Sequence, residues 1–490
     1  MSPASEETPD PRRWKALAVC LVAGFMALLD VSIVNVALPS IRTGLSASAS
    51  DLQWVVSGYA LAFGLLLVPS GRLGDVRGRR AMFVFGVALF TVSSIACGVA
   101  QSSLWLVIAR LAQGLGGGAL NPQVSGIVQE MFHGRERGKA FGLLGATIGL
   151  STAVGPVVGG ALISIFGVEQ GWRWIFFVNG PIGVLAIVLA LRLIPGPSEA
   201  QSRERHSLDP VGVGLLGLAV LAFLMPLVEQ QQWHSHLKWL LILAGLLLLG
   251  AFWLWERRYA ARGKEPLVEP ALLEIPSYTR GVLVGTVYFS GFAGIFFVLA
   301  VFFQTGLGYT ALQSGLAVTP FALGSAVAAA VSGRFVHRFG RPLVVLGLLT
   351  VCVGLVAADL AISWHGERDM GAWTAVPLLV AGLGSGMVIS PNVTLSLSDI
   401  PVRRAGTAGG VLQTGQRLGT AVGVATVGST FFQTLASHHG DYGVAASYGM
   451  RVATVLTAAA LVIGVIDVLS TGRKGRKDRQ HQPEHLAVSG

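Results

Sequence analysis

Apolar stretches recur fourteen times along the chain, separated by short polar or charged breaks. They cover approximately 15–38, 51–70, 81–101, 103–129, 138–165, 173–194, 209–229, 237–256, 280–304, 311–332, 342–363, 373–397, 405–434 and 447–470. Each is near or above the ~20 residues needed to cross a hydrocarbon core about 30 Å thick. Spanning segments must satisfy their backbone groups internally, as helices or as a closed barrel. Runs this long, without strict alternation of apolar and polar residues, predict helices. The pattern therefore predicts an all-α integral membrane protein with fourteen transmembrane helices.

Composition agrees with that pattern. Hydrophobic residues make up 52% of the chain and charged residues 12%, against about 25% charged in soluble domains. The net charge of +10 would suggest nucleic-acid binding in a soluble protein, but its placement excludes that. If the N-terminus is cytoplasmic, 28 of the 35 Lys and Arg residues fall on the cytoplasmic side and 5 outside, which is the positive-inside distribution. An even number of spans then puts both termini in the cytoplasm. Cys20, Cys97 and Cys352 all fall within apolar spans, so no disulfide framework is implied.

The two halves of the chain echo each other. The run Gly71-Arg72-Leu73-Gly74-Asp75-Val76-Arg77-Gly78-Arg79-Arg80 is matched 262 residues later by Gly333-Arg334-Phe335-Val336-His337-Arg338-Phe339-Gly340-Arg341, with His337 in the place of Asp75. This predicts five segments: a cytoplasmic tail (1–14), a six-helix bundle (15–195), a linker with two extra helices (196–279), a second six-helix bundle (280–470) and a basic, disordered cytoplasmic tail (471–490).

Ionisable side chains inside spans are costly and usually face the bundle interior with a partner. Asp30 lies in the first span and Arg110 in the fourth. At a rise of about 1.5 Å per residue the two sit at similar depth, which predicts a pair, direct or through water. Burial in apolar surroundings favours a neutral acid, a neighbouring guanidinium favours the carboxylate, and opening the site to either side of the membrane changes both terms. Such an acid can load a proton on one side and release it on the other. A purely structural ion pair is the alternative. Arg417 is also within a span, with no acid at matching depth.

The run 71–80 fills every fixed position of G-x-L-x-D-x-x-G-R-[RK], and through it the chain resembles the major facilitator superfamily. Other segments are similar to its fourteen-helix drug:proton antiporters. These are Leu29-Asp30-Val31-Ser32-Ile33-Val34-Asn35-Val36-Ala37-Leu38-Pro39, with Ser32 where Thr is usual; Arg110-Leu111-Ala112-Gln113-Gly114; and Ser151-Thr152-Ala153-Val154-Gly155-Pro156-Val157-Val158-Gly159-Gly160, with Ser151 at the first glycine. The resemblance implies two six-helix bundles plus two inserted helices. It implies proton handling by Asp30 and Arg110, and outward transport signalled by Gly155, Pro156, Gly159 and Gly160. It also implies a cytoplasmic gate made by Gly71, Asp75, Gly78, Arg79, Arg80 and Arg404, in which Asp75 meets the start of the thirteenth helix.

These features together predict a proton-coupled multidrug or antibiotic exporter in the cell membrane, working as a monomer on small hydrophobic or cationic drug-like solutes. Candidates for the solute cavity are Asn35, Gln113, Asn121, Phe292, Phe296, Asn392, Gln413 and Arg417. The phenylalanines from 289 to 303 also read as packing or lipid contact. No phosphate-binding lysine loop or zinc-ligand spacing occurs in the chain, so the expectation is a non-enzyme without metal or cofactor, driven by the proton gradient. A proton symporter or metabolite exporter of the same fold, or a non-transporting membrane receptor, are the alternatives.

Overall fold

The computed structural model describes residues 10–196, 209–228, 233, 235–364 and 369–480. Among these there are sixteen α-helices and no strand. In chain order they are α1 (Arg13–Leu45), α2 (Ala49–Arg77), α3 (Arg79–Gly98), α4 (Ser103–Met131), α5 (Gly134–Phe166), α6 (Gly171–Phe177), α7 (Asn179–Leu193), α8 (Pro210–Val228), α9 (Leu240–Ala261), α10 (Pro270–Glu274), α11 (Pro276–Val301), α12 (Ala311–Phe339), α13 (Arg341–Trp364), α14 (Met370–Ser396), α15 (Ala405–Ser437) and α16 (Tyr442–Gln480). Helices α6 and α7 together form one span, Gly171–Leu193.

Thirteen of the described spans are long and apolar enough to cross a membrane. The one predicted stretch not among them is the thirteenth, 405–434, which forms α15 and has 33 residues. It is long enough, but Gly, Thr and Gln dilute its hydropathy. The helices also run past the apolar stretches that predict them. The charged run 71–80 is not a loop: α2 continues to Arg77 and α3 begins at Arg79. Gly78 alone makes the turn, at φ +99°, a conformation that favours glycine. At the other end of the chain α16 continues to Gln480, through half of the tail predicted to be disordered. Residues 1–9, 197–208 and 481–490, parts of the predicted tails and linker, lie outside the described residues.

Helix starts follow capping chemistry. Ser48 and Asp51 form a reciprocal capping box at α2, and Thr310 and Gln313 another at α12; each satisfies backbone donors that the first turn leaves free. Inward faces are apolar and close-packed. One buried core unites α1 to α5 with α7 and reaches Tyr278, Ala408 and Leu412 of the second half. A second core lies within α11 to α16. Outward faces are apolar as well: Val92, Leu104, Val376 and Val455 are exposed, the arrangement lipid requires rather than water. The inserted helix α8 packs through Leu216, Val220 and Leu224 against α2, and residues of α15 join the same cluster.

Candidate functional site

Asp30 is fully buried and receives three donors. Arg110 Nη1 donates to its Oδ2 at 2.5 Å. Gln113 Nε2 and Asn179 Nδ2 donate to Oδ1 at 2.9 and 3.1 Å. The fully buried Arg110 also donates to the Val55 carbonyl at 3.0 Å and to Gln113 Oε1 at 2.8 Å. The face of its guanidinium lies over the Tyr59 ring, 4.2 Å from the centroid. Asn179 is anchored by Ser94 Oγ at 3.0 Å. Five helices, α1 to α4 and α7, thus converge on one carboxylate. Breaking such a buried pair from one side costs about 3–5 kcal/mol, because the remaining charge is uncompensated. Asp30 and Arg110 are brought together as the sequence predicts. Gln113 is a member of this cluster and does not line the cavity between the halves. Asn179 also belongs to the cluster, a role the sequence does not reveal.

The next two residues after Asp30, Val31 and Ser32, face a cavity of about 420 Å³ between the halves. Of the residues named from the sequence, Asn35, Asn121, Phe292, Phe296, Gln413 and Arg417 line it. Part of the phenylalanine run therefore forms a cavity wall, with Phe292 and Phe296 5.1 Å apart edge to face; Phe302 and Phe303 are packed in the core instead. Asn392 is not in the wall: it donates to the Gly281 carbonyl at 2.9 Å and accepts from Arg341 Nη1 at 3.1 Å. The sequence repeat accounts for this. Asn392 lies 262 residues after Glu130, and Arg341 the same distance after Arg79; Arg79 Nη1 donates to Glu130 at 2.8 Å. Asn392 is the counterpart of a partner for the loop arginine. The cavity extends to Gln304, in the turn that follows α11, and to Ser314 at the start of α12.

At the arginine-rich end the halves are in contact. Asp75 Oδ1 accepts the Gly406 amide at 2.9 Å. Its Oδ2 accepts the Thr407 amide at 2.7 Å and the Thr407 hydroxyl at 2.9 Å. These are free donors of the first turn of α15, where the helix dipole also favours an anion. Arg79 Nη2 pairs with Asp75 at 3.0 Å and also donates to the Val402 carbonyl. A side chain at Gly71 is excluded by backbone, since a Cβ there would lie 2.4 Å from the Gly406 carbonyl oxygen. Arg404 pairs with Glu269, and Arg72 with Glu265 at 2.5 Å, which ties the segment before α10 to the same end. Burial pulls the Arg404 guanidinium below its ordinary value. Arg80 does not join this contact: it reaches the Ile194 carbonyl at the end of α7. In the second copy His337 meets the Gly134 carbonyl at the start of α5.

The glycine motif of α5 packs on α1 beside the buried acid. A Cβ at Gly155 would lie 2.4 Å from Ser32 Oγ, and one at Gly159 2.8 Å from an Ile33 side-chain carbon. Pro156 lines the cavity. Gly160 is the exception, because nothing lies within 4 Å of where its Cβ would be. Among the described residues no group of His, Cys, Asp and Glu has metal-binding geometry.

The family described as the Major Facilitator Superfamily matches residues 20–424. The chain is 39% identical over 440 residues to a probable actinorhodin transporter of Streptomyces coelicolor, covering 89% of this chain and 75% of that one. It is 33% identical over 471 residues to the puromycin resistance protein pur8 of Streptomyces alboniger, covering 94% and 91%. Its fold is similar to the crystal structure of the human organic anion transporter MFSD10, with a TM-score of 0.66 at 16% identity over 93% of this chain and all of that one.

Proposed function

Because the chain belongs to the Major Facilitator Superfamily, we propose that this multi-pass membrane transporter exports a small antibiotic-type solute in exchange for protons, by alternating access around the cavity between its halves. The names of its relatives, an actinorhodin transporter and a puromycin resistance protein, support export. The observation that supports proton coupling is the buried carboxylate of Asp30, held by Arg110, Gln113 and Asn179 on a helix whose Leu28 and Val31, on either side of it in sequence, line the cavity.

Protonating Asp30 would neutralise the anion that compensates Arg110, so the two protonation states favour different helix arrangements. One elementary charge moved across 100 mV is worth about 2.3 kcal/mol, and one pH unit about 1.4 kcal/mol. One or two protons per cycle are sufficient to move a neutral or charged solute outward. In this reading the arginine-rich end is cytoplasmic, and Asp75 at the start of α15 closes that end while the cavity communicates with the outside.

Expression in an efflux-deficient host challenged with a panel of toxic compounds that includes puromycin tests the reading. Raised tolerance to at least one compound, abolished by a protonophore, is expected. Increased sensitivity with greater accumulation of the compound would favour a symporter, and unchanged behaviour across the whole panel would favour a receptor.

A further inference from the structure

Among the described residues the cavity wall contains a single ionisable side chain, Arg417, and no acid. Its guanidinium lies over the Phe63 ring, 4.3 Å from the centroid. Among the described residues no hydrogen bond or ion pair reaches it. Among the described residues the two buried arginines are each compensated by an acid, Arg110 by Asp30 and Arg79 by Asp75, and Arg341 and Arg280 share Asp467. Arginine does not escape burial by losing its proton. A guanidinium enclosed between apolar helices without a carboxylate is therefore a site whose counter-charge comes from elsewhere. Neutral amides of Asn35, Gln413 and Gln416 line the same space, with Phe292 and Phe296 on the wall contributed by α11.

We propose that the cavity takes an aromatic solute bearing an acidic group, a carboxylate or an ionised phenol, with Arg417 as its counter-ion and the phenylalanine wall as its stacking surface. The guanidinium fork matches a carboxylate with two parallel hydrogen bonds, and ring faces stack offset or edge to face on Phe292 and Phe296. A cationic solute, by contrast, would face a fixed charge of its own sign with no acid to offset it. This assignment rests on the export reading for the direction of transport, but the binding chemistry is independent of it.

The test is equilibrium binding to the purified full chain in lipid nanodiscs, followed by fluorescence anisotropy, with no gradient present. The probes are fluorescein and rhodamine 123, which share a xanthene frame and carry opposite charge in mildly alkaline buffer. The wild type is expected to bind fluorescein at least about tenfold more tightly than rhodamine 123. Arg417→Gln is expected to lose that preference while still binding rhodamine 123, which also reports its folding, and Arg417→Lys is expected to retain part of it. A wild type that prefers rhodamine 123 would overturn the assignment without recourse to any variant, as would an unchanged preference in Arg417→Gln. Charge-selective binding without protonophore-sensitive export would instead remove the export reading and leave this one intact.

Discussion

Tyr59 and Phe63 stand one turn apart on α2 with ring centroids 5.9 Å apart, and each carries a guanidinium on its face. Arg110 covers Tyr59 from the first half and Arg417 covers Phe63 from the second. This row of four side chains connects the buried acid cluster to the cavity through one helix. A change of charge at Asp30 acts directly on Arg110, which rests on one end of the row. The solute proposed for the cavity acts on the other end.

That row gives a first prediction. Cation–π contact of a desolvated guanidinium is worth about 2 kcal/mol. Tyr59→Leu removes the ring and is expected to slow protonophore-sensitive efflux about tenfold or more, measured in everted vesicles. Tyr59→Phe keeps the ring and loses only a long hydroxyl contact to the Ala27 carbonyl at 3.4 Å. It is expected to stay within about twofold of wild type. Equal losses in both variants would show that the hydroxyl, not the ring face, matters.

Asp75 supplies a second. Its carboxylate accepts from Gly406, Thr407 and Arg79, so Asp75→Asn weakens the contact between the halves and leaves Arg79 undercompensated, at a cost of about 2–4 kcal/mol. The arginine-rich end should then open more often. With Cys20, Cys97 and Cys352 replaced and a reporter at Ser125→Cys on the cavity wall, a membrane-impermeant maleimide applied to everted vesicles should label Asp75→Asn faster than the Asp75 parent. Equal labelling rates would remove Asp75 from the closure of that end.

The glycine motif gives a paired prediction. Gly155→Val places atoms where Ser32 already stands, and overpacking of this kind costs about 1–3 kcal/mol. It should lower the unfolding temperature in detergent and reduce efflux. Gly160→Ala enters open space and should change stability by no more than about 0.5 kcal/mol. Should Gly160→Ala prove as damaging as Gly155→Val, close packing on α1 would not be the reason for the motif.

Much of this was legible in the chain because lipid penalises exceptions. Asp30 and Arg110 are conspicuous as charges inside apolar spans, and their depth along each helix is arithmetic. Span lengths gave the long helices, including the glycine-rich α15. What was hidden is rotational. A helix that is apolar all round has no amphipathic face to show which side meets the cavity. Gln113, Asn392 and Asn121 are therefore indistinguishable in sequence, yet they face the acid cluster, Arg341 and the cavity respectively. Asn179 was hidden for the same reason. The place of Asn392 could have been found by carrying the repeat of 262 residues beyond the loops to Glu130. The end of α2 at Arg77 was hidden because charged residues close to a helix terminus read as loop, whereas only Gly78 breaks the backbone.

The claim that Asp30 converts the proton gradient into solute movement is tested most directly by solute-driven proton flux in everted vesicles, followed with a pH-sensitive dye while an exported solute is added. The wild type should dissipate the imposed pH gradient on addition of solute. Asp30→Asn, which is close in size to Asp but cannot titrate, should still bind fluorescein and yet leave the gradient undisturbed. Solute-driven dissipation at the wild-type rate in Asp30→Asn would contradict the account.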